Sequence, residues 1–537
     1  MALDLSGKKI LVIDDYAEMR SMMRKMGVAF RATSIDDAKN GEDALKMLSK
    51  KRYDIVLCDY NLGNGKDGQN VLEEAKHKSL LKYGTIFMMV TAENTMKMVM
   101  GAMEYYPDGY LTKPFSKGEF ASRLEKAQNR KANFKDIELA IQRNDFQSAI
   151  DACDLKLIDN PANKLEILRI KADIWEKMSK YQEAENLYRE ILEKRELPWA
   201  KIGLARTLYH LSDYETSKSM LLDILDDNPN FTEAYDWLAK IHLDLGDPEQ
   251  AQRVLKTAID ISPKAILRHK TLGKIAFENQ NMQLAEESFK NAVKLGKTSC
   301  YKEINDYTSL SKVYLETDSP SEALNLLSDA EHEFEDDSST RFQTAIMESM
   351  IHKHTGNEDL ANQAIDRANT LFDNQHDNIP IDAVMDLTKI CLSLGKEEIG
   401  QKLSKYIVRN HHEDPEILEK TQALFDEFDM QAIGKDLINR TCQEVIDINN
   451  QGVELTKEGK LKEAIDFLEK AAVGMPENKT INLNAAQALI MLMQKEGRQN
   501  TLIRKTGIYL ERLNKIDPLD KKFQRLKSFY IKLTTDR

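Results

Sequence analysis

The stretch "IVLCDYNLGNGKDG", Ile55–Gly68, decides the fold. Four apolar residues run straight into Asp59, and Gly63, Gly65 and Gly68 follow. A buried strand has no structural use for a carboxylate at its tip, since a desolvated charge needs a partner. Similar apolar runs occur at 8–15 (KKILVIDD), 84–90 (GTIFMMV) and 108–112 (DGYLT). Between and after them, 16–30, 40–50, 67–77, 95–103 and 116–131 carry helical spacing. This alternation predicts a parallel sheet covered on both faces. In such sheets ligands bind beyond the carboxyl ends of the strands.

That rule gives meaning to the polar residues at the strand ends. Asp14 and Asp15 close the first run, Asp59 the next long one, and Thr91 and Lys113 follow the later two. Singly, each has a structural reading: a helix cap, a strand-end hydroxyl, a surface charge. Jointly they converge on one sheet edge. Three neighbouring carboxylates repel unless a cation neutralises them, and Mg²⁺ suits carboxylate oxygens while keeping several waters. With the Lys113 ammonium and the Thr91 hydroxyl, the set reads as a receptacle for a transferred phosphoryl group, with Asp59 as acceptor.

Residues 8 to about 125 resemble the receiver domain of two-component response regulators. The resemblance rests on Asp14–Asp15, Asp59, Thr91, Lys113 before Pro114-Phe115, and Tyr110. It implies a flavodoxin-like α/β fold with a five-stranded parallel sheet. It implies Mg²⁺ held by Asp15, Asp59 and the Asn61 backbone carbonyl, with Asp14 assisting. A histidine kinase or phosphotransfer protein would phosphorylate Asp59. Thr91 and Lys113 would bind the phosphoryl oxygens, Tyr110 would change rotamer, and the Lys113–Pro114 bond would be cis. Asn61 and Glu93 occupy the positions that tune loss of the phosphoryl group, and their combination resembles short-lived chemotaxis receivers. One departure stands out. The turn after Asp59 lacks proline, carries two extra glycines, and is one residue longer than the family pattern.

After about residue 130 the strand patterns stop, and a repeat appears. Phe146, Tyr181, Tyr214, Pro248 and Met282 align at separations of 35, 33, 34 and 34. Small residues recur three positions later (Ala149, Ala184, Ser217, Ala251, Ala285). Larger ones recur seven positions later (Cys153, Tyr188, Leu221, Leu255, Phe289). Pro161, Pro229 and Pro263 close repeats, because proline cannot continue a helix. A period of ~34 residues with these small and large positions resembles the tetratricopeptide repeat. The expectation is a receiver at 1–130 followed by an all-α solenoid at 131–537, with about nine or ten hairpins, irregular over 300–440. Such solenoids hold protein or peptide ligands in a concave groove. The groove-lining residues are not legible from the sequence.

Net charge is −12 over 537 residues, which argues against a surface built to neutralise phosphates; no DNA-binding output domain follows the receiver. Cys58, Cys153, Cys300, Cys391 and Cys442 form no close pair, as expected for reduced thiols. The start lacks a secretory h-region, and no apolar run is long enough to span a bilayer; the expectation is a cytoplasmic protein with no membrane partner. "EAL" at 322–324 falls at the small-residue position of a repeat, so Ala323 reads as packing. The pairs His352/His354 and His411/His412 lack metal-ligand spacing. Trp175, Trp199 and Trp237 read as core or groove residues of repeat helices.

These features predict a response regulator, not an enzyme beyond loss of its own phosphate. Phosphorylation of Asp59 would control protein binding by the repeats, through the face built on 95–103, 108–112 and 116–131. The helix of 116–131 would run on towards 134 and join the repeats. Self-association through the receiver is an added option. The alternatives are a phosphatase or sequestering regulator of another signalling protein, and a peptide-sensing solenoid.

Overall fold

The computed structural model describes residues 3–82, 84–92, 106–159, 163–335, 337–374, 379–518 and 520–535. The predicted helix at 95–103, Glu93 and Pro161 lie outside them. Contacts cluster into two units, Met1–Val313 and Tyr314–Arg537.

The first unit opens with an α/β domain. Its strands are β1 (Lys9–Ile13), β2 (Ser34–Ala38), β3 (Ile55–Asp59), β4 (Ile86–Thr91) and β5 (Gly109–Thr112). They form one parallel sheet in the order β2-β1-β3-β4-β5. Helices α1 (Ala17–Ala29), α2 (Gly41–Lys50), α3 (Gly68–His77) and α4 (Lys117–Asn133) cover it. The period-two alternation of strands divides the core. Leu11, Ile13, Val56, Cys58, Phe87 and Met89 pack with residues of α2 and α3. Ile10, Val12, Ile55, Leu57, Met88 and Val90 pack with residues of α1 and α4. β2 escaped the sequence reading because "SIDDA" is mostly polar. Only Ile35 and Ala38 of this edge strand are buried.

Beyond α4 the chain is helical hairpins. In the first unit they pair 135–142 with 146–159, 164–177 with 181–194, 198–210 with 214–227, 232–244 with 248–261, and 266–278 with 282–296. The aligned residues Phe146, Tyr181, Tyr214, Pro248 and Met282 each begin the second helix of a hairpin. Ala149, Ala184, Ser217, Ala251 and Ala285, one turn on, are fully buried. A larger side chain there would push the paired helices apart.

Ten of the hairpins turn the same way. The first helix ends on a residue with left-handed backbone: Asn144, Ser179, Ser212, Gly246, Gln280, Asp318, Gly356, Gly395, Asp429 and Gly459. The next residue's N–H closes a six-residue bond back into the helix, as from Asp145 to Ala140 O, Lys180 to Trp175 O and Lys460 to Leu455 O. This pairing satisfies carbonyls that a helix end would otherwise leave open. The turns are separated by 35, 33, 34, 34, 38, 38, 39, 34 and 30 residues. The first widening has a local cause. The linker between 282–296 and 304–316 spans 297–303, while 195–197, 228–231 and 262–265 connect earlier hairpins. The later wide spacings come from longer helices at Ser338–His354 and Glu358–Asn374.

The second unit keeps the hairpin pattern from Pro320–Glu333 to Lys521–Thr535. Ala323 is fully buried with Leu327, Met347 and Ile351, so "EAL" is packing. A second core runs from Val445 to Leu526 around Leu489 and Leu468.

Candidate functional site

β1 and β3 are buried strands that end side by side, with Ile13 paired to Cys58. Asp14 and Asp59 are therefore carried to the same edge. Asp14 is fully buried and Asp59 nearly so. Asp15 completes the group; ligand atoms of the three carboxylates lie within 4.8 Å of one another. Among the described residues this is the sole acidic, thiol or imidazole cluster with that convergence. Arg20 steadies its outer rim by donating to the Asp14 carbonyl at 2.7 Å and the Asp15 carbonyl at 3.0 Å.

Lys113 follows β5 and reaches into the cluster. Its Nζ donates to Asp14 Oδ2 at 2.8 Å and Asp59 Oδ2 at 2.7 Å. Burial pushes the Asp59 carboxyl above its ordinary range; Lys113 opposes this and Asp14 adds to it. Burial works against the Lys113 ammonium, but its bonds to Asp14 and Asp59 outweigh that and hold its pKa up. The lysine is thus firmly charged among carboxylates that lack full hydration. Hard oxygen donors converging on one point also suit Mg²⁺. Asp14, Asp15 and Asp59 are the side chains that would hold it.

Thr91 ends β4 and is buried. Its carbonyl accepts from the Lys113 N–H at 2.7 Å, tying the two strand ends together. The Lys113–Pro114 bond is cis. Tyr110 packs with the α2/α3-side core, its hydroxyl buried and without a hydrogen-bond partner among the described residues. The structure thus brings Asp14, Asp15, Asp59 and Lys113 together, with Thr91 beside them. Tyr110 lies in the adjoining core, and Glu93 is outside the described residues.

The turn from Asn61 to Asp67 roofs one side of the site. The Asn61 backbone N–H donates to the Asp59 carboxylate, and Asn61 Oδ1 accepts from Gly63 N at 3.2 Å. Gly63 and Gly65 have φ of 75° and 92°, a region that favours glycine. Gly68 is required by space: a Cβ there would come within 2.1 Å of the Asp59 carbonyl. Its N–H donates to Tyr60 O at 2.8 Å, closing the base of the turn. Asp67 caps α3 reciprocally with Asn70.

Sequence reasoning missed a second role for this segment. Lys66 Nζ donates to the Thr298 carbonyl at 2.7 Å. Lys264 pairs with Asp67 at 2.7 Å and stands 5.0 Å from the centre of the Tyr60 ring. Ser299 Oγ donates to Glu73 Oε2 at 2.9 Å in a buried contact. The His77 and Tyr301 rings meet edge-on at 5.4 Å. Elsewhere Tyr106 reaches Glu233 at 3.4 Å, and Arg130 pairs with Glu166. Among the described residues, the receiver-like domain is therefore docked on the hairpins that follow it through the turn and α3, with Tyr106 and Arg130 adding contacts. Its only sequence signals are the long turn and the long linker.

The Response regulator receiver domain family matches residues 10–125. Chemotaxis protein CheY-3 of Vibrio cholerae is 30% identical over 122 residues, which cover 23% of this chain and 92% of that protein. The chain belongs to the response regulator family. Chemotaxis protein CheY of Pseudomonas aeruginosa is also 30% identical over 122 residues, covering 23% of this response regulator and 97% of the relative. The Tetratricopeptide repeat family matches residues 232–264, the hairpin of 232–244 and 248–261. The response regulator thus joins a receiver domain to tetratricopeptide repeats. A tetratricopeptide repeat protein from Parabacteroides merdae is 15% identical, covering 45% of this chain and 93% of its own, with a TM-score of 0.30. No helix among the described residues is long and apolar enough to cross a membrane.

Proposed function

We propose that Asp59 accepts a phosphoryl group from a histidine kinase or phosphotransfer protein, and that this controls which protein the repeats hold. For this reading the chain divides into a receiver, 1–130, and a repeat array, 131–537. The observation that carries it is the convergence of Asp14, Asp15 and Asp59, with Lys113 Nζ bridging Asp14 and Asp59.

In the transfer, an Asp59 carboxylate oxygen attacks the phosphorus of a phosphohistidine. The P–N bond breaks, its electron pair stays on the imidazole, and a mixed anhydride forms on Asp59. Bound Mg²⁺ would neutralise charge on the phosphoryl oxygens. Lys113 exchanges Asp59 for a phosphoryl oxygen while keeping Asp14, and the Thr91 hydroxyl donates to another. Tyr110, at the edge of the α2/α3-side core, senses the change. Water later attacks the phosphorus and restores the carboxylate, with Asn61 and Glu93 setting access. The donor proteins place this chemistry in the cytoplasm. For the repeats we propose protein binding, with phosphatase action on another signalling protein as the alternative.

The test is incorporation of label from radioactive acetyl phosphate in Mg²⁺ buffer. The wild type should take up alkali-labile phosphate, and Asp59→Asn or chelator should abolish it. Label persisting on Asp59→Asn would break the reading.

A further inference from the structure

Two irregular segments meet in space: the glycine-rich turn 61–67 after Asp59 and the linker 297–303, the longest between hairpins of the first unit. Lys66 of the turn bonds Thr298 of the linker. Glu73 of α3, which the turn launches, bonds Ser299, and His77 meets Tyr301. Together they make one contact surface.

The same turn also faces the acidic cluster. Asn61 N–H donates to Asp59, and a Cβ on Gly63 would touch Asp15 Oδ2 at 3.6 Å. Gly68 is pinned against the Asp59 carbonyl. The segment between is glycine-rich, so residues 61–65 can follow the site while 66–67 hold the repeats. The held contacts are hydrogen bonds and ion pairs around a cavity of about 140 Å³, lined by Asp67, Asn70, Glu73, Lys264, Thr298 and Ser299. A polar, incompletely filled interface separates more readily than a close-packed apolar one.

We propose that the turn and α3 form the receiver's output surface, that its partner is Lys264 and the 297–303 linker of the same chain, and that phosphorylation of Asp59 releases it. This rests on the phosphoacceptor reading above. A phosphoryl group adds negative charge at Asp59. Lys66, the turn's cation, is held by the Glu74 carboxylate at 2.9 Å and by the neutral Thr298 carbonyl; the phosphoryl group is a second anion, and Thr298 is the weaker competitor. Drawing the turn toward the site strips Lys66 from Thr298 and loosens α3 from Ser299. The released linker and the neighbouring hairpins become available to a protein partner.

Hydrogen exchange on the full chain in Mg²⁺, with and without beryllofluoride, tests this. Peptides over 55–62 should slow as the analogue binds, and those over 295–303 should exchange at least about tenfold faster. Ser299→Ala should speed 295–303 without beryllofluoride and leave binding of the analogue at 55–62 intact, and Lys66→Met should speed 295–303 as well. Slowed 55–62 with unchanged 295–303 overturns the inference alone. No slowing at 55–62 overturns the phosphoacceptor reading and this inference with it.

Discussion

The receiver site and the repeat array use their sequences in opposite ways. At the site, the proposed chemistry rests on a few residues with no substitute: three carboxylates, one lysine, one hydroxyl. In the array, geometry rests on size at spaced positions, where Ala or Ser serves equally at the buried small site. The first region loses function abruptly with single changes. The second degrades by degrees and can diverge widely while keeping its shape.

The largest effects should fall on tightly packed positions, in either region. Gly68→Ala drives a methyl into the Asp59 carbonyl and should destabilise the receiver by about 3 kcal/mol, read as a lower first transition in calorimetry. A neutral result would mean the turn has room that its geometry denies. Phe289→Ala, a nearly buried ring in the repeats, should cost about 3–5 kcal/mol. Because hairpins stack on neighbours, that loss should appear in denaturant curves without abolishing phosphate uptake. If uptake at Asp59 vanished too, the two regions would not be separable as argued.

A smaller effect is set by pH. His269 is buried; its Nε2 meets the Pro263 carbonyl at 2.9 Å and its Nδ1 has no partner among the described residues. Burial holds its pKa below the ordinary 6.5, with the Pro263 carbonyl and Glu287 opposing and Arg268 assisting. The unfolded chain then binds the proton more readily. Stability should fall as pH drops through about 6.5 and level off below the folded value. His269→Gln should flatten that part of the curve; an unchanged slope would remove His269 as its source. Smallest of all, Ser212→Gly places glycine at a left-handed turn position and should stabilise by about 1 kcal/mol. Destabilisation there would show that the serine side chain contributes more than its backbone strain.

The same contrast accounts for what the sequence disclosed. Asp14, Asp15, Asp59 and Lys113 were legible because a charged group at the end of an apolar strand contributes nothing to packing. Phe146, Tyr181, Tyr214, Pro248 and Met282 were legible because five repeats fix a register. β2 was hidden because an edge strand with "SIDDA" need not look apolar. The docking of α3 was hidden because a lysine–carbonyl bond between residues 66 and 298 leaves no periodic trace. Coupling was expected through the face built on 95–103, 108–112 and 116–131, of which 95–103 lies outside the described residues. Among the described residues, contacts with the repeats come from the turn and α3, from Tyr106 and from Arg130 of α4.

The ten left-handed turns carry a consequence for how such an array diversifies. Helix stops here are written in backbone handedness and main-chain bonds, not in a required side chain: Asn, Ser, Gly, Gln and Asp all occupy the position. The punctuation is therefore independent of the text it separates. Each hairpin can rewrite the residues it presents to a partner while its ends stay where they were. Lengthening, as at 297–303, can be inserted between stops without shifting the next one out of register.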